Sequence, residues 1–247
     1  MSKAEYLQTA LKAAVSAGNL IEERHKDILN ASRKESLRDI VTHVDKLAEN
    51  QIIDILKDYD KNIPILTEES GLVQGRTEKT YWIVDALDGT VNYVNHIPFY
   101  AVSIALFDKN KITVGVIFNP YSNELYYGSD GLGVFKNQKS LKIIDRIPEE
   151  CLFSMAFSGK NYEATKRVDE FLLFGKINDS SRGCLRTGSA AMNLAYLAEG
   201  KFGGCLGKAN KIWDVAAGLL LAKLAGSNVQ FKEVDKEKHL VNYIATI

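Results

Sequence analysis

The sequence between residues 82 and 106 reads WIVDALDGTVNYVNHIPFYAVSIAL and decides the fold class. Its start, together with Tyr81, is a short apolar run, which is typical of a buried strand. The run ends at DALDGT, in which Asp85 and Asp88 lie three residues apart around a turn. After Pro98 the sequence is alternately or continuously apolar, which predicts further strands. The stretch therefore predicts a buried strand that delivers two carboxylates to a turn, followed by a sheet.

Hydrophobic periodicity on both sides of this stretch predicts helices and more strands. Apolar residues three and four positions apart predict two helices within the first 60 residues, the second beginning after Thr42. Late helices are predicted at 189–199 and 213–225, where Gly200 and Gly226 supply the stops. Strands are predicted at 63–66, 81–84, 99–107, 111–118 and 124–127. This order of elements predicts layered α and β structure.

The composition is that of a folded globular chain. It has 247 residues, 31 basic and 31 acidic side chains, and 46% hydrophobic residues, which excludes an intrinsically disordered protein. The length corresponds to one large domain or two small ones. We expect a single domain over residues 1–247. The sequence near 137–150 is more polar and contains Pro148, which predicts a seam between subdomains there.

The cysteines, the net charge and the lengths of the apolar runs indicate the cellular location of the protein and its partners. Cys151, Cys184 and Cys205 form no closely spaced pair, so we expect buried free thiols in a reducing cytoplasm. The N-terminus lacks a signal-peptide pattern, and the apolar run 215–222 is far shorter than the ~20 residues of a membrane helix. The net charge of zero argues against a broad nucleic-acid surface. We therefore expect a cytoplasmic protein without membrane or nucleic-acid partners.

Acidic residues follow several of the predicted elements. Glu68 and Glu69 follow one strand, Asp85 and Asp88 follow the next, and Asp214 opens a late helix. Carboxylates at the carboxyl ends of adjacent strands can converge on one crevice, where they repel one another unless a cation lies between them. Oxygen ligands of this kind suit Mg²⁺ or Mn²⁺. The alternative is that these acids are solvated loop residues and helix caps.

The turn after Asp88 offers groups for a phosphate. Gly89 permits a close backbone approach, and the amides of Gly89 and Thr90 can hold an anion. The Thr90 hydroxyl can position a water molecule. The alternative is that Asp, Gly and Thr only serve the turn.

Four segments resemble the signatures of the inositol monophosphatase family. Residues 82–106 resemble W-I-[IV]-D-P-[IL]-D-G-T-x-N-[FY] followed by P-F-x-x-S-I, and ILTEES at 65–70 resembles [IV]-x-G-E-E-S. WDVAAGLLLAKLAGSNV at 213–229 is similar to the C-terminal motif of the family, and KESLRDIVTHVD at 34–45 is similar to K-x-x-x-D-[LIV]-V-T-x-x-D. The resemblance implies an αβαβα five-layer sandwich with a mixed sheet and an antiparallel sheet, and commonly a homodimer.

The resemblance also implies a set of metal ligands. Glu68, Asp85 and the backbone carbonyl of Leu87 would hold a first Mg²⁺, and Asp85, Asp88 and Asp214 a second. Glu68 would help to hold a weaker third ion. Mn²⁺ is a substitute for Mg²⁺ at such oxygen sites.

Catalytic and substrate-binding residues follow from the same resemblance. Asp45 and Thr90, with Glu68, would polarise the attacking water. Asp45 also lies three residues after Thr42, so a capping box is the alternative. Lys34 would neutralise the site or be a surface charge. The substrate would contact residues of two segments: Asp88, Gly89, Thr90, Gly188, Ser189 and Ala190. Lys208 is added to this set because of its charge and not because of the resemblance. For Ala190, tight helix packing is the alternative.

The sequence departs from the family pattern in two places. Ala86 replaces the usual proline and Thr67 the usual glycine, without loss of a ligand. Seven residues before Asp214, where the family often has an acid, this chain has Gly207, followed by Lys208. Lys208 and the nearby Lys211 would favour a substrate with a second phosphate, unless they point into solvent.

These observations predict Mg²⁺-dependent hydrolysis of a small phosphorylated metabolite by a metal-activated water. Inositol 1-phosphate or a related polyol or sugar phosphate is the first expectation. The alternatives are fructose 1,6-bisphosphate, 3′-phosphoadenosine 5′-phosphate, NADP or histidinol phosphate at the same site. A further alternative is a non-enzymatic role, since some bacterial relatives bind the transcription or RNA machinery. The histidines match no ligand position; His25 and His239 are expected at the surface.

Overall fold

The computed structural model describes residues 2–30, 37–74, 79–158 and 164–247. The helices in these ranges are α1 (Lys3–Asn30), α2 (Leu37–Tyr59), α3 (Thr90–Val94), α4 (Ala164–Asp179), α5 (Ala190–Ala198) and α6 (Ile212–Ala225), with a 3₁₀ turn at Pro148–Glu150. The strands are β1 (Ile65–Thr67), β2 (Gly71–Val73), β3 (Thr80–Asp88), β4 (Ala101–Asp108), β5 (Lys111–Asn119), β6 (Glu124–Ser129), β7 (Gly133–Lys136), β8 (Lys139–Ser140), β9 (Leu152–Ala156), β10 (Gly183–Leu185), β11 (Phe202–Lys211), β12 (Asn228–Asp235) and β13 (Leu240–Thr246).

Helices and sheets alternate in five layers. An eight-stranded sheet has the order β2-β1-β3-β4-β5-β6-β7-β8, and a five-stranded sheet has the order β10-β9-β11-β13-β12. Helices α1 and α2 cover one face of the larger sheet, and α5 and α6 fill the space between the two sheets. Helix α4 packs beside β9 and β10, and its Leu173 lines the outer face of the smaller sheet together with Leu206. The predicted αβαβα sandwich is confirmed.

The expectation of one purely antiparallel sheet is wrong. Strand β1 pairs parallel with β3 in the larger sheet, and β9 pairs parallel with β10 and β11 in the smaller one. The parallel pair β1–β3 has a direct consequence for the acidic residues. Because the two strands run in the same direction, Glu68 and Asp85 are delivered to the same edge of the sheet.

Several predicted elements are confirmed and others are shifted. Helix α5 is capped by the Ser189 side chain, which accepts a hydrogen bond from the Met192 amide at 3.2 Å, and α6 ends at Gly226 with φ of 117°. Helix α2 begins at Leu37 rather than after Thr42, so the capping box proposed for Asp45 is wrong. Helix α4 and the strands of the smaller sheet lie where the sequence predicted no defined elements.

The chain crosses from the larger to the smaller sheet between β8 and β9, within the segment where a seam was expected. That residues 1–247 form a single domain stays a prediction. All three cysteines are buried and free, as predicted. Among the described residues, no helix has both the length and the apolar character needed to cross a membrane.

Two glycines let helix α6, which carries Asp214, pack closely on both sides. A Cβ atom on Gly115 of β5 would lie 2.9 Å from the backbone oxygen of Ala217 in α6. A Cβ atom on Gly218 of α6 would lie 2.4 Å from the Cβ of Leu194 in α5. Both distances are shorter than side chains tolerate, so the position of α6 depends on the absence of a side chain at these two residues.

We predict that Gly218→Ala destabilises the protein although alanine is the better helix former. Overpacking costs about 1–3 kcal/mol, and replacing a helical glycine gains about 1 kcal/mol. Gly175→Ala in α4 is the matched control, since a Cβ there would meet nothing within 4 Å. The free energy of unfolding from urea titration should be about 1–3 kcal/mol lower for Gly218→Ala than for Gly175→Ala. Equal stability of the two variants would show that α6 tolerates the extra methyl group.

Candidate metal centre

Three carboxylates from separate elements meet at one point. Glu68, Asp85 and Asp214 each place a carboxylate oxygen within 4.8 Å of those of the other two. Glu68 follows β1, Asp85 belongs to β3, and Asp214 lies in the first turn of α6. The adjoining Trp82 and Trp213 are 0% and 6% exposed, as expected of side chains that anchor these elements by packing.

The cluster is electrostatically unfavourable for the chain on its own. Burial, and then the charges of Glu68, Asp88, Asp214 and Asp45, raise the pKa of Asp85 well above its usual range. Burial and the charges of Asp88 and Glu68 do the same to the pKa of Asp214. For Glu68, burial and the charges of Asp88 and Glu69 raise the pKa to about 7. A cation between the carboxylates would remove this repulsion.

Helix α2 contributes two further buried acids on one face. Asp45 is 6% exposed, and burial followed by the charges of Glu68 and Glu69 raises its pKa to about 8. Glu49, one turn later and 1% exposed, accepts hydrogen bonds from the amides of Glu69 at 3.0 Å and Ser70 at 3.1 Å. Glu49 therefore holds the turn that carries Glu68. Sequence reasoning missed it, although its spacing of four from Asp45 predicts the same helix face.

The turn after Asp85 is fixed by its own polar groups. The Leu87 amide donates to Asp85 Oδ1 at 2.9 Å, and the Thr90 hydroxyl donates to the Leu87 carbonyl at 3.0 Å. Gly89 has φ of 91°, and a Cβ there would lie 3.0 Å from the backbone oxygen of Phe99. The site therefore requires glycine at 89. The Leu87 carbonyl, a predicted metal ligand, lies on the same turn as Asp85.

Asp88 is held by the start of α5 and is not one of the three clustered carboxylates. Its Oδ2 accepts hydrogen bonds from the Ser189 hydroxyl at 2.5 Å and the Ala191 amide at 2.8 Å. Burial raises the pKa of Asp88 to about 6, and these hydrogen bonds oppose the rise. The structure therefore brings the predicted substrate residues Ser189 and Ala190 beside Asp88. The charge of Asp88 in turn raises the pKa values of Glu68 and Asp214.

Asn92 connects the two loops that meet here, and the sequence did not single it out. Its side-chain amide donates to the backbone oxygens of Phe99 at 2.7 Å and Thr187 at 2.9 Å. A Cβ on Gly188, which has φ of 95°, would lie 2.9 Å from the Asn92 side chain. Gly188 is thus required where the loop before α5 passes over Asn92.

Lys211 is a lysine whose charge acts on the carboxylates of Glu68 and Asp214. It precedes α6, and its charge opposes the rise in the pKa values of Glu68 and Asp214. Its Nζ donates to the Lys238 carbonyl at 2.9 Å and lies 5.0 Å from the centre of the Trp213 ring. These contacts fix a positive charge beside the cluster.

The position of Lys208 does not support its predicted contact with substrate. Lys208 lines a cavity of about 320 Å³ on the smaller sheet, which no residue of the acidic cluster lines. The missing family acid at position 207 has a steric reason. A Cβ on Gly207 would lie 1.9 Å from Asn210 Oδ1 and 2.4 Å from Tyr243 Cε1. Lys34, the other lysine considered, lies outside the described residues.

The donor set fits a hard divalent cation. Three carboxylate oxygens and a backbone carbonyl on an adjoining turn are ligands that Mg²⁺ and Mn²⁺ prefer. Zinc sites are usually built from histidine and cysteine, and none of these residues belongs to this group. The clustered carboxylates also give an excess of negative charge, which Lys211 offsets in part and which a bound cation would offset further.

We predict that the metal-free protein loses stability as the pH rises. Asp45, Glu68 and Asp88 have pKa values of about 8, 7 and 6 in the fold, above their ordinary 3.8, 4.5 and 3.8. Between the ordinary and the raised value the folded chain binds more protons than the unfolded chain, so its stability falls with pH. The Tm in chelator should therefore be lower at about pH 8 than at about pH 5.5.

Two additions make this test specific. Asp45→Asn should flatten the pH dependence, whereas Asp54→Asn, at an exposed position of α2, should leave it unchanged. Mg²⁺ should raise the Tm more at the higher pH, where its ligands are ionised. A Tm that rises steadily with pH in chelator would contradict the raised pKa values of these carboxylates.

Comparisons with known proteins agree with the fold and the site. A curated relative from Escherichia coli K12, named Nus factor SuhB, is 36% identical over 226 residues, 90% of this chain and 84% of that protein. An inositol-1-monophosphatase from Mesorhizobium japonicum is 35% identical over 233 residues, 93% of this chain and 86% of that protein. An inositol monophosphatase structure from Anabaena (Nostoc) sp. PCC 7120 has a TM-score of 0.84 and 29% identity, covering 98% of this chain and 90% of that chain.

Some curated relatives of this chain are named Nus factor. The expectation that the chain has no nucleic-acid partner is therefore not supported. The family assignment itself does not depend on them alone. The model of the inositol monophosphatase family matches residues 2–235. This range includes the acidic cluster and all four segments that resemble the family signatures. With the relatives and the superposed structure, this match shows that the chain belongs to the inositol monophosphatase family.

Proposed function

We propose that this protein is a Mg²⁺-dependent phosphatase that hydrolyses a small phosphate monoester. The observation that carries the proposal is the meeting of Glu68, Asp85 and Asp214 within 4.8 Å of one another. Family membership supports the same chemistry. We assign the protein to the cytoplasm and expect a homodimer, as is common in the family; both are part of the proposal.

Glu68, Asp85, Asp214 and the Leu87 carbonyl would hold Mg²⁺, with Asp88 as a further ligand. The ion supplies a Lewis acid that neutralises phosphoryl oxygens and lowers the pKa of water. Glu49 keeps the Glu68 turn in place through its hydrogen bonds.

Asp45 and Thr90 would act on the attacking water. Asp45 is buried, and its pKa is raised by this burial and by the charges of Glu68 and Glu69, which places its carboxylate beside the proposed metal ligands. The Thr90 hydroxyl is oriented by its 3.0 Å hydrogen bond to the Leu87 carbonyl. Gly89, Gly188, Ser189 and Ala190 shape the space beside these groups, where the substrate would lie.

Inositol 1-phosphate or a related polyol or sugar phosphate is the proposed substrate. Two features bear on the choice. Position 207 has no room for the acid that the family often places near substrate hydroxyls. Lys211 places a positive charge close enough to act on Glu68 and Asp214. Because both features favour an additional negative charge, a substrate with a second phosphate is the alternative.

We predict that phosphate release needs Mg²⁺ and the clustered carboxylates. Activity should vanish in chelator and return with Mg²⁺ or Mn²⁺. Asp85→Asn and Asp214→Asn should each lower kcat by at least ~10³-fold, because each removes a charged ligand of the ion. Asp145→Asn, at an exposed position, is the control and should retain full activity. Near-normal rates in both cluster variants would contradict the proposed function.

We predict that Lys211, and not Lys208, sets the preference for a second phosphate. The measurement is the ratio of kcat/KM for fructose 1,6-bisphosphate to that for inositol 1-phosphate. A charge-assisted contact is worth about tenfold or more, so Lys211→Gln should lower the ratio by about tenfold. Lys208→Gln is the matched control and should leave the ratio unchanged. A lower ratio for Lys208→Gln and an unchanged ratio for Lys211→Gln would contradict this prediction. That result would indicate that the second phosphate binds beside Lys208, on the smaller sheet.

A role as a Nus factor is the second candidate function. It rests on the curated relatives of that name, which are 34–36% identical to this chain. Gel-shift titration with RNA at physiological salt, beside the phosphate-release assay, separates the two candidates. Phosphate release without RNA binding favours the enzyme, and RNA binding without phosphate release favours the second candidate.

A further inference from the structure

Two histidines that do not belong to the acidic cluster lie in contact with each other. His25 Nε2 of α1 and His96 Nδ1, in the loop after α3, are 3.0 Å apart. The sequence predicted His25 at the surface, but it is half-buried. Its ring stacks on that of Tyr93, with centroids 4.8 Å apart and planes 29° apart. The two imidazoles thus meet between two elements that are 71 residues apart in the chain.

The surroundings hold the His25 ring and the backbone of His96 in place. The Tyr100 ring packs edge-on against His25, with centroids 6.2 Å apart, and its hydroxyl donates to Glu22 Oε1. Glu22 lies one helical turn before His25, so its carboxylate is on the same face of α1. His96 has φ of 57°, and its amide donates to the Tyr93 carbonyl at 3.2 Å. His96 is thus fixed by its backbone and His25 by its aromatic neighbours.

The separation of the two nitrogens fits a shared ion. Two imidazole nitrogens that ligate one Zn²⁺ at 2.0–2.1 Å, with an angle between 90° and the tetrahedral value, are about 2.9–3.4 Å apart. The observed 3.0 Å lies in this range.

We propose that His25 and His96 form a binding site for a transition-metal dication of the Zn²⁺ type. Imidazole is a preferred ligand of Zn²⁺, Ni²⁺ and Cu²⁺, whereas Mg²⁺ prefers oxygen donors. The ion bridges α1 and the loop that follows α3, and water completes its coordination. The site is chemically separate from the carboxylate cluster, so the two can be filled by different metals. Its binding is also independent of the proposed phosphatase activity.

Calorimetric titration with Zn²⁺ tests the proposal on the full chain in excess Mg²⁺, which fills the carboxylate cluster. The wild-type protein should bind one Zn²⁺ at this site, and His25→Gln and His96→Asn should each weaken that binding at least tenfold. Asparagine tolerates the left-handed backbone of residue 96, so His96→Asn preserves the loop. His43→Gln, at an exposed histidine of α2, is the matched control and should bind like the wild type.

Electron paramagnetic resonance with one equivalent of Cu²⁺ supplies a readout of the ligands themselves. The spectrum should show coupling to two imidazole nitrogens in the wild type and to one in either variant. Circular dichroism and the Tm of the metal-free variants establish that they are folded. Absence of Zn²⁺ binding in the wild type would overturn the proposal and leave the pair as a hydrogen bond. Equal Zn²⁺ affinity in the wild type and both folded variants would overturn it as well.

Discussion

Repulsion between carboxylates that the fold holds close together is the constraint on which the rest of the site depends. Glu68, Asp85 and Asp214 come from three elements, and with Asp45 and Asp88 they raise one another's pKa values after burial has already done so. Such an arrangement lowers the stability of the chain without a cation. The fold must therefore hold these groups together against their own charge.

The layers of the molecule supply that restraint. The parallel pairing of β1 and β3 brings Glu68 and Asp85 to one sheet edge. Helix α6 is fixed between the two sheets by the close contacts at Gly115 and Gly218. Glu49 holds the turn after β1 through hydrogen bonds to its amides. The start of α5 binds one oxygen of Asp88. Stability is thus provided by packing away from the site and is offset by charge within it.

Much of this could be predicted from the sequence, because motifs placed acids at the ends of apolar runs. The helices α5 and α6 follow from apolar periodicity, and the convergence of Glu68, Asp85 and Asp214 follows from acids at the ends of neighbouring elements. The five-layer fold follows from the resemblance to the family. Glu49 and Asn92 were missed because a single polar residue in an apolar stripe does not reveal its partner. The direction of the Lys208 side chain could not be predicted from the sequence, because an irregularity in β11 between Gly207 and Asn210 breaks the strand alternation.

The position of the cation is the central claim, and it can be observed directly. Crystals grown with Mn²⁺ in place of Mg²⁺ would give an anomalous difference map in which the ion is identified by its own scattering. The account predicts a peak bounded by the carboxylates of Glu68, Asp85 and Asp214, at oxygen distances of about 2.0–2.5 Å. A map at saturating Mn²⁺ with no peak between these three residues would contradict it.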